Sequence, residues 1–216
     1  MLEIQDIGAH SLRVDGALPV DNRQKMWSDR ERWRVSVDDL WVFPRIAGRT
    51  RATGPGVFRP DGFAPRLSGV SLEDLSARGF RGIIVDLDNT LVGYGQEHLA
   101  DVDRDWIARA RDRGFRICLV SNNFTGRVGR VSAELGVPGI SSALKPLPRG
   151  FLAALRLLGT ERRETVVVGD QLFTDVLGAK FLGLHAILTE PIVAKDWLGT
   201  RVLRFLERIL LGRRPS

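Results

Sequence analysis

The chain has 216 residues, of which 44% are hydrophobic, and its formal net charge is +6 at pH 7. This length and composition predict one full-sized globular domain with an appended segment. No apolar run reaches the roughly 20 residues that a membrane-spanning helix needs, and the first ten residues carry acids where a signal peptide would be basic and then apolar. We therefore expect a soluble, cytoplasmic chain without a spanning segment.

The single cysteine, Cys118, lies in an apolar stretch, so we expect a buried thiol, no disulfide framework and no zinc site. The basic residues are nearly all arginines. A positive balance of this kind favours polyanionic partners such as nucleic acid, anionic lipid or phosphorylated small molecules, without choosing among them. A surface that is simply solvated and rich in arginine explains the composition equally well.

The chain divides into an irregular first part and a regular remainder. Residues 1–55 show no long periodic segment and are predicted to be an N-terminal extension, ending in a Gly-, Pro- and Arg-rich stretch that resembles a linker. Residues 56–216 are predicted to form the main domain. In chain order the patterns predict a helix from Ser71 to Gly79, a strand at 81–85, a helix at 101–113, a strand at 115–120, a helix at 127–135, a strand at 140–143, a helix at 149–158, a strand at 165–168, a helix at 175–182 and a strand at 185–188.

Strands that alternate with helices of this length predict an α/β fold, a three-layer α/β/α sandwich around a parallel, Rossmann-like sheet. Ligands of such sheets bind at the carboxyl ends of the strands. Polar residues follow the predicted strands at those ends: Asp86 and Asp88, then Ser121, Asn122 and Asn123, then Lys145, and finally Asp170 and Asp175. Because all these ends point to the same edge, we expect the side chains to converge on one crevice.

The expected crevice holds several carboxylates, a lysine and a hydroxyl. Carboxylates packed so closely repel one another, and a divalent cation with oxygen ligands relieves that repulsion. Magnesium suits this role because it takes one or two carboxylates and shares its other positions with water and phosphate oxygens. A lysine and a serine opposite the metal suit the oxygens of a phosphoryl group. The set therefore predicts a phosphoryl-transfer site in which one aspartate attacks phosphorus.

Simpler interpretations exist for each motif taken alone. Two aspartates spaced like Asp86 and Asp88 also begin calcium-binding loops, and Glu97 falls at the twelfth position of such a loop. However, the sixth position is Leu91 instead of glycine, and a predicted strand precedes the loop where a calcium loop has a helix. A lone serine is often a turn residue, and a lysine before proline is often a surface side chain. Four such motifs in order, each after an apolar strand, favour the catalytic interpretation.

The order DxDxT, SNN, KP and GDxxxxD resembles the haloacid dehalogenase (HAD) superfamily of phosphatases over about residues 80–180. The resemblance implies a HAD-like fold and a phosphomonoester hydrolase that forms an aspartyl-phosphate. By this resemblance Asp86 is the expected nucleophile, and Asp88 is the expected general acid and base. Ser121, Lys145 and the backbone N–H of Asn122 are expected to bind the phosphoryl oxygens.

The same resemblance implies a magnesium site. Asp86, the backbone carbonyl of Asp88 and Asp170 are the expected metal ligands. Thr90 is expected to brace the nucleophile loop. Asp175 is expected to orient Lys145 or a metal-bound water.

The spacing of the motifs predicts the absence of a large cap domain. The intervals between Asp88, Ser121 and Lys145 have room only for loops, single helices and a short strand. An open site suits a phosphate displayed on a large molecule or at a membrane surface. The motifs, together with the segments 190–192 and 195–197, further resemble the subclass IIIA, YqeG-like branch, which is similar to phosphatidylglycerophosphate phosphatases.

The C-terminal segment at about 195–212 is predicted to be a basic amphipathic helix. Its apolar residues form one stripe flanked by arginines, as in helices that lie in an anionic membrane interface, and packing of that stripe on the domain is an equally reasonable interpretation. We therefore expect an anionic phospholipid substrate and peripheral membrane association, with nucleic acid a poor candidate. Two alternatives stay open: a capless phosphatase of a nucleotide, sugar phosphate or phosphoprotein, and a phosphate-sensing or RNA-binding module with little turnover.

Overall fold

The computed structural model describes residues 13–15, 55–93, 95–96, 98–123 and 126–193. The predicted C-terminal amphipathic helix, and most of the predicted N-terminal extension, lie outside these residues. Within the described part of the chain, no helix has the length and apolar character needed to cross a bilayer.

The described residues form one seven-stranded sheet with helices on both faces. The strands are β1 (Arg13–Asp15), β2 (Gly62–Ala64), β3 (Gly82–Asp86), β4 (Arg116–Val120), β5 (Gly139–Ser141), β6 (Thr165–Gly169) and β7 (His185–Thr189). The α-helices are α1 (Leu72–Ala77), α2 (Asp101–Asp112), α3 (Arg127–Leu135), α4 (Pro148–Leu158) and α5 (Leu177–Phe181). Short 3-10 turns lie at Pro55–Phe58, Leu67–Gly69 and Arg162–Glu164, and a π-helical turn at Leu172–Val176.

The strand order is β1-β5-β4-β3-β6-β7-β2. The six strands from β5 to β2 run parallel, and β1 pairs antiparallel with β5 at one edge. From the central strand β3 the chain moves outward to β4 and β5, and α4 then carries it back across the sheet to β6. The chain therefore leaves β3 and enters β6 on opposite faces, which opens a crevice at the carboxyl end of β3.

The core lies on both faces of the sheet because successive side chains of a strand point to opposite sides. On one face Ile83 and Val85 of β3 pack with residues of α1, α2 and α3, including the buried Trp106. On the other face Ile84 and its neighbours pack with α4 and with residues 176–186, including Phe151. All five residues of β3 are buried, as in a strand covered on both sides. The three-layer α/β/α prediction is confirmed, and Cys118 is buried as expected.

The structure departs from the predicted elements in three places. The three-residue strands β1 and β2 extend the sheet at its two edges, and neither is long enough to show an alternating pattern in the sequence. Asp86 is the last residue of β3, where the prediction ended the strand at Val85. The helix predicted at 175–182 begins only at Leu177, because the π-helical turn includes Asp175 and Val176, whose N–H groups both donate to the Gln171 carbonyl.

No cap domain occurs in the described parts of the two intervals that were expected to lack one. The interval from Asp88 to Ser121 contains α2, β4 and connecting loops, and the interval from Ser121 to Lys145 contains α3 and β5. In the described residues, these two intervals therefore add no separate domain over the end of β3.

Candidate active site

A buried lysine joins two carboxylates at the end of β3. Lys145 Nζ donates to Asp86 Oδ1, to Asp175 Oδ1 at 2.6 Å and to the Val120 carbonyl at 3.2 Å. The side chains of Lys145, Asp86 and Asp175 are 3%, 4% and 2% exposed. Three hydrogen bonds use all the protons of the ammonium group, so it is held in one position.

The main chain of Lys145 is fixed by the loop after β4. The Asn122 side chain accepts from the Lys145 N–H at 2.6 Å and donates to the Lys145 carbonyl at 3.0 Å. The preceding residues Ser142 and Leu144 have positive φ angles, and the Lys145–Pro146 peptide is cis. The asparagine thus acts on the lysine through its side chain, a contact that the expected backbone role of Asn122 did not include.

Asp170 lies beside this cluster and is held by residues of the loop after β3. Thr90 Oγ1 donates to Asp170 Oδ1 at 3.2 Å, and Asn89 Nδ2 lies 3.4 Å from Asp170 Oδ2. Thr90 thus connects the loop after β3 to Asp170, the residue that follows β6. Asn89 is fully buried, and it was not singled out in the sequence because asparagine in a loop is ordinarily a turn residue.

Asp88 points to a different part of the crevice from Asp86. Its Oδ2 accepts from Ser121 Oγ at 2.5 Å, and its Oδ1 accepts from Arg127 Nη1 at 3.0 Å. Ser121 Oγ also accepts from the Asn123 N–H at 2.9 Å. Arg127, the first residue of α3, is a site residue that sequence reasoning missed. Its position six residues after Ser121 is the only signal that the sequence offers.

Burial and neighbouring charge shift the proton affinities of the cluster. Burial raises the pKa of Asp86 well above its ordinary value, and the Lys145 ammonium offsets this only in part. Burial, assisted by the charge of Asp175, raises the pKa of Asp170 to about 7. Burial alone would lower the pKa of Lys145, but the Asp175 and Asp86 carboxylates outweigh it and raise the value. Without a cation, the cluster has more carboxylate than it can hold ionised.

The carboxylates fit a divalent cation. One oxygen from each of Asp86, Asp170 and Asp175 lies within 4.8 Å of the other two. Asp86 Oδ2 is buried and has no hydrogen-bond partner, although a buried carboxylate oxygen normally has one. An oxygen-only set with an unused acceptor is the donor set that a hard cation such as Mg²⁺ prefers. The Asp88 carboxyl is engaged with Ser121 and Arg127 instead.

The geometry brings the predicted site residues together in two groups. Asp86, Lys145, Asp170 and Asp175 form the buried group, with Thr90 bonded to it. Asp88, whose side chain is 14% exposed, and the fully buried Ser121 form a second group, and the Asn122 side chain is hydrogen-bonded to the Lys145 main chain. The arrangement places a carboxylate with an unused oxygen close to a fixed cationic side chain. A second carboxylate, that of Asp88, is held separately by Ser121 and Arg127 and is able to accept a proton.

Three known proteins illustrate the similarity. "Phosphatidylglycerophosphate phosphatase 1, chloroplastic/mitochondrial" of Arabidopsis thaliana is 28% identical over 155 residues, which are 67% of this chain and 44% of that protein. The chain thus spans less than half the length of this relative. A haloacid dehalogenase-like hydrolase of known crystal structure from Brucella suis 1330 is 14% identical, with a TM-score of 0.49, covering 59% of this chain and 98% of that one.

"Probable phosphatase YqeG" of Bacillus subtilis (strain 168) is 38% identical over 155 residues, which are 72% of this chain and 90% of that protein. The family model for haloacid dehalogenase-like hydrolases matches residues 94–183. The resemblance that the four motifs predicted is confirmed by both matches. The chain belongs to the haloacid dehalogenase-like hydrolases.

Proposed function

We propose that this protein is a Mg²⁺-dependent phosphatase that forms an aspartyl-phosphate on Asp86 and removes the terminal phosphate of phosphatidylglycerophosphate. The observation that carries the chemistry is the environment of Asp86. One of its oxygens is held by Lys145, and the other is buried without a partner. The unpartnered oxygen has its lone pairs available for phosphorus or for a cation, beside a lysine suited to a phosphoryl oxygen.

In the proposed reaction a carboxylate oxygen of Asp86 forms a bond to phosphorus, and the bond from phosphorus to the substrate alcohol breaks. Asp88 gives its proton to the leaving alcohol oxygen. Asp88 then takes a proton from water as the water oxygen attacks phosphorus, which breaks the bond to Asp86 and releases inorganic phosphate. Ser121 holds a phosphoryl oxygen during both steps, and Lys145 does the same after one of its three acceptors is exchanged for a phosphoryl oxygen.

Asp86 and Asp170, with the backbone carbonyl of Asp88, are the residues that we propose to hold Mg²⁺. When bound, the metal would supply positive charge that keeps the buried carboxylates ionised and offsets the charge of the phosphoryl group. Asp175 is within reach of the same position but already accepts from Lys145 and from the Gln171 N–H at 3.1 Å. We therefore propose that Asp175 orients the lysine.

The substrate proposal is supported by the relative from Arabidopsis thaliana and by the surface around the site. Exposed apolar side chains lie next to the catalytic segments: Leu147, two residues after Lys145, is 40% exposed, and Phe173, between Asp170 and Asp175, is 45% exposed. The ring of Phe58, 41% exposed, lies 5.6 Å from that of Phe173. We call these three side chains the apolar rim. Exposed apolar side chains close in sequence to the catalytic segments, with no cap domain among the described residues, support a phosphate carried on a lipid.

The substrate is tested by comparing kcat/KM for phosphatidylglycerophosphate in mixed micelles with kcat/KM for nucleotide, sugar and aryl phosphates and a phosphopeptide. We expect the lipid to be preferred, and Asp86→Asn to remove activity toward every substrate. A lipid rate no better than that for the aryl phosphate would contradict the lipid assignment. RNA binding with a steep salt dependence and no phosphate release would instead favour the binding-module alternative.

The apolar rim is tested with a matched pair of variants. Phe58→Ser should lower activity on lipid micelles while leaving the rate on soluble aryl phosphate within about twofold, because the ring is outside the reacting cluster. Phe181→Ser removes a phenylalanine of similar exposure, 46%, at the far end of α5. Equal effects of the two substitutions on the lipid rate would contradict a specific role for the rim.

A further inference from the structure

Arg127 connects Asp88 to the loop that contains Gly93 and Gln96. Its Nη1 donates to Asp88 Oδ1 at 3.0 Å, and its Nη2 donates to the carbonyls of Gly93 at 2.8 Å and Gln96 at 2.6 Å. The side chains of Arg127 and Asp88 are 15% and 14% exposed. Both Nη atoms of the guanidinium are hydrogen-bonded. The two carbonyls hold Nη2, and Nη1 therefore points toward the Asp88 carboxylate.

Under the proposed function, the hydrogen bond from Ser121 to Asp88 must break when Ser121 binds the phosphoryl group. Ser121 Oγ donates to Asp88 Oδ2 and accepts from the Asn123 N–H. A serine hydroxyl carries a single hydrogen, so it donates either to Asp88 or to a phosphoryl oxygen, and not to both. When Ser121 turns to the phosphoryl group, Arg127 is the donor that still holds the Asp88 carboxyl among the contacts described above.

A general acid works only within hydrogen-bond reach of the oxygen that it protonates. The arginine fork suits this task because one guanidinium group spans the carboxylate and the two carbonyls, whereas a lysine ammonium is a single point of attachment. Fixed carbonyl partners also keep the guanidinium from following a phosphoryl group into the crevice.

We propose that Arg127 is a positioning residue that holds the Asp88 carboxyl for proton transfer to the leaving alcohol once Ser121 binds the phosphoryl group. The inference rests on the proposed function, in which Asp88 is the general acid. It predicts that Arg127 matters most when the leaving group needs a proton. A direct role of Arg127 in binding the phosphoryl group would instead affect all phosphomonoesters alike.

The test compares kcat/KM for two soluble substrates, para-nitrophenyl phosphate and phenethyl phosphate, in the full chain with Mg²⁺. The aryl leaving group departs as a stable anion, while the alkyl alcohol must be protonated. Because kcat/KM reports only the steps up to departure of the alcohol, later hydrolysis of the intermediate does not enter. Arg127→Met should lower kcat/KM for the alkyl ester about tenfold or more beyond its effect on the aryl ester, part of the 10²–10⁴-fold that general acids contribute.

Four further variants make the result specific. Asp88→Asn should show the same selective loss, and adding Arg127→Met to it should cause no further change in the alkyl-to-aryl ratio, because both act on one proton transfer. Added guanidinium ion should restore part of the alkyl rate to Arg127→Ala. The control is Arg109→Met, which changes an exposed arginine of α2 and should leave both rates within about twofold of wild type.

Equal losses on the two esters, or a selective loss that Asp88→Asn does not share, would overturn the proposal. If Arg127→Met does not fold, the same ratio is measured in Arg127→Lys, which keeps the charge and lacks the fork. Asp86→Asn is assayed in parallel. Its full activity would refute the aspartyl-phosphate mechanism itself, which separates that failure from an incorrect role for Arg127.

Discussion

Lys145 and Asp175 form a buried ion pair in which Nζ lies 2.6 Å from Oδ1 and the two side chains are 3% and 2% exposed. The pair links the loop after β5 to the turn after β6. Because Lys145 also donates to Asp86, one ammonium group balances two buried carboxylates. Under the proposed function, the chemistry of Asp86 and the stability of the domain therefore depend on the same lysine.

Lys145→Ala should destabilise the metal-free protein by about 3–5 kcal/mol, because removing one member of a buried ion pair leaves uncompensated buried charge. Urea denaturation in the presence of a chelator measures this loss. The control is Arg163→Ala, which removes an ion pair with Glu161 whose side chains are 79% and 65% exposed. That change should cost at most about 1 kcal/mol. Equal losses in the free energy of unfolding for the two variants would contradict the role of Lys145 as a buried ion-pair partner.

Gly169 allows Asp175 to reach the lysine. A Cβ at residue 169 would overlap the Asp175 carboxyl, so Gly169→Ala must displace it. We expect a loss of about 1–3 kcal/mol in the free energy of unfolding, from overpacking. We also expect kcat/KM to fall by up to about 10²-fold, from misplacement of the reacting groups. Gly126→Ala is the matched control because a Cβ there meets nothing within 4 Å and φ is −63°.

The main features of the fold and the buried group were predictable because they follow from strong local patterns. Apolar runs such as Ile83 to Val85 form strands wherever both faces are covered, and α3 has the bounds predicted for it. The convergence of Asp86, Lys145 and Asp170 followed from parallel strands ending at one edge. Each of these inferences needs only periodicity and chain order.

The features that were missed depend on contacts between segments. The pairing of Arg127 with Asp88 depends on how the loop after β4 turns into α3, and no spacing rule fixes that turn. The side-chain contacts of Asn122 likewise depend on the conformation of the loop at 142–147. The π-helical turn also has no signal in the periodicity, because it depends on the Gln171 carbonyl accepting from both the Asp175 and the Val176 N–H.

The raised pKa of Asp170 predicts a pH-dependent stability in the absence of metal. A folded-state pKa of about 7, against an unfolded value of 3.8, means that the folded protein holds this proton more tightly. The contribution to stability is therefore fully present below about pH 4 and is lost as the pH rises through about 7. The stability of wild type relative to Asp170→Asn should fall between pH 5 and pH 8, as measured by urea denaturation in chelator.

Saturating Mg²⁺ should weaken or reverse this trend, because a cation binds the ionised carboxylates and competes with the proton. Titrating groups that do not interact with Asp170, such as His185, whose pKa burial lowers, are present in both proteins and cancel in the comparison. A difference in stability that does not change with pH in chelator would contradict the proposed environment of Asp170.

Asn89 joins the loop after β3 to the segment at 192–193 through hydrogen bonds. Its side chain accepts from the Val193 N–H at 2.9 Å and donates to the Val193 carbonyl at 3.1 Å, and its own carbonyl accepts from the Ile192 N–H at 2.9 Å. Asn89→Gly should remove the side-chain bonds while keeping the φ of 71°, which glycine adopts without strain. We expect faster hydrogen exchange at the Val193 amide and a loss of about 1–3 kcal/mol in stability.

Asn89→Ala separates the backbone from the side chain at this position. Alanine should be less stable here than glycine, because left-handed backbone costs about 1–2 kcal/mol for an L residue and exceeds the entropic disadvantage of glycine, about 0.4–1 kcal/mol. Unchanged exchange at Val193 in both variants would show that the segment is held by other contacts.

The central claim is that Asp86 carries the phosphoryl group, and chemical trapping of the intermediate tests it most directly. The protein is mixed with substrate and Mg²⁺, quenched in acid during turnover and reduced with borohydride, which converts an aspartyl-phosphate to homoserine. Peptide mass spectrometry should then find homoserine at position 86, only when substrate is present, and none in Asp86→Asn. Substrate-dependent homoserine at another aspartate, or turnover by Asp86→Asn at the wild-type rate, would contradict the account.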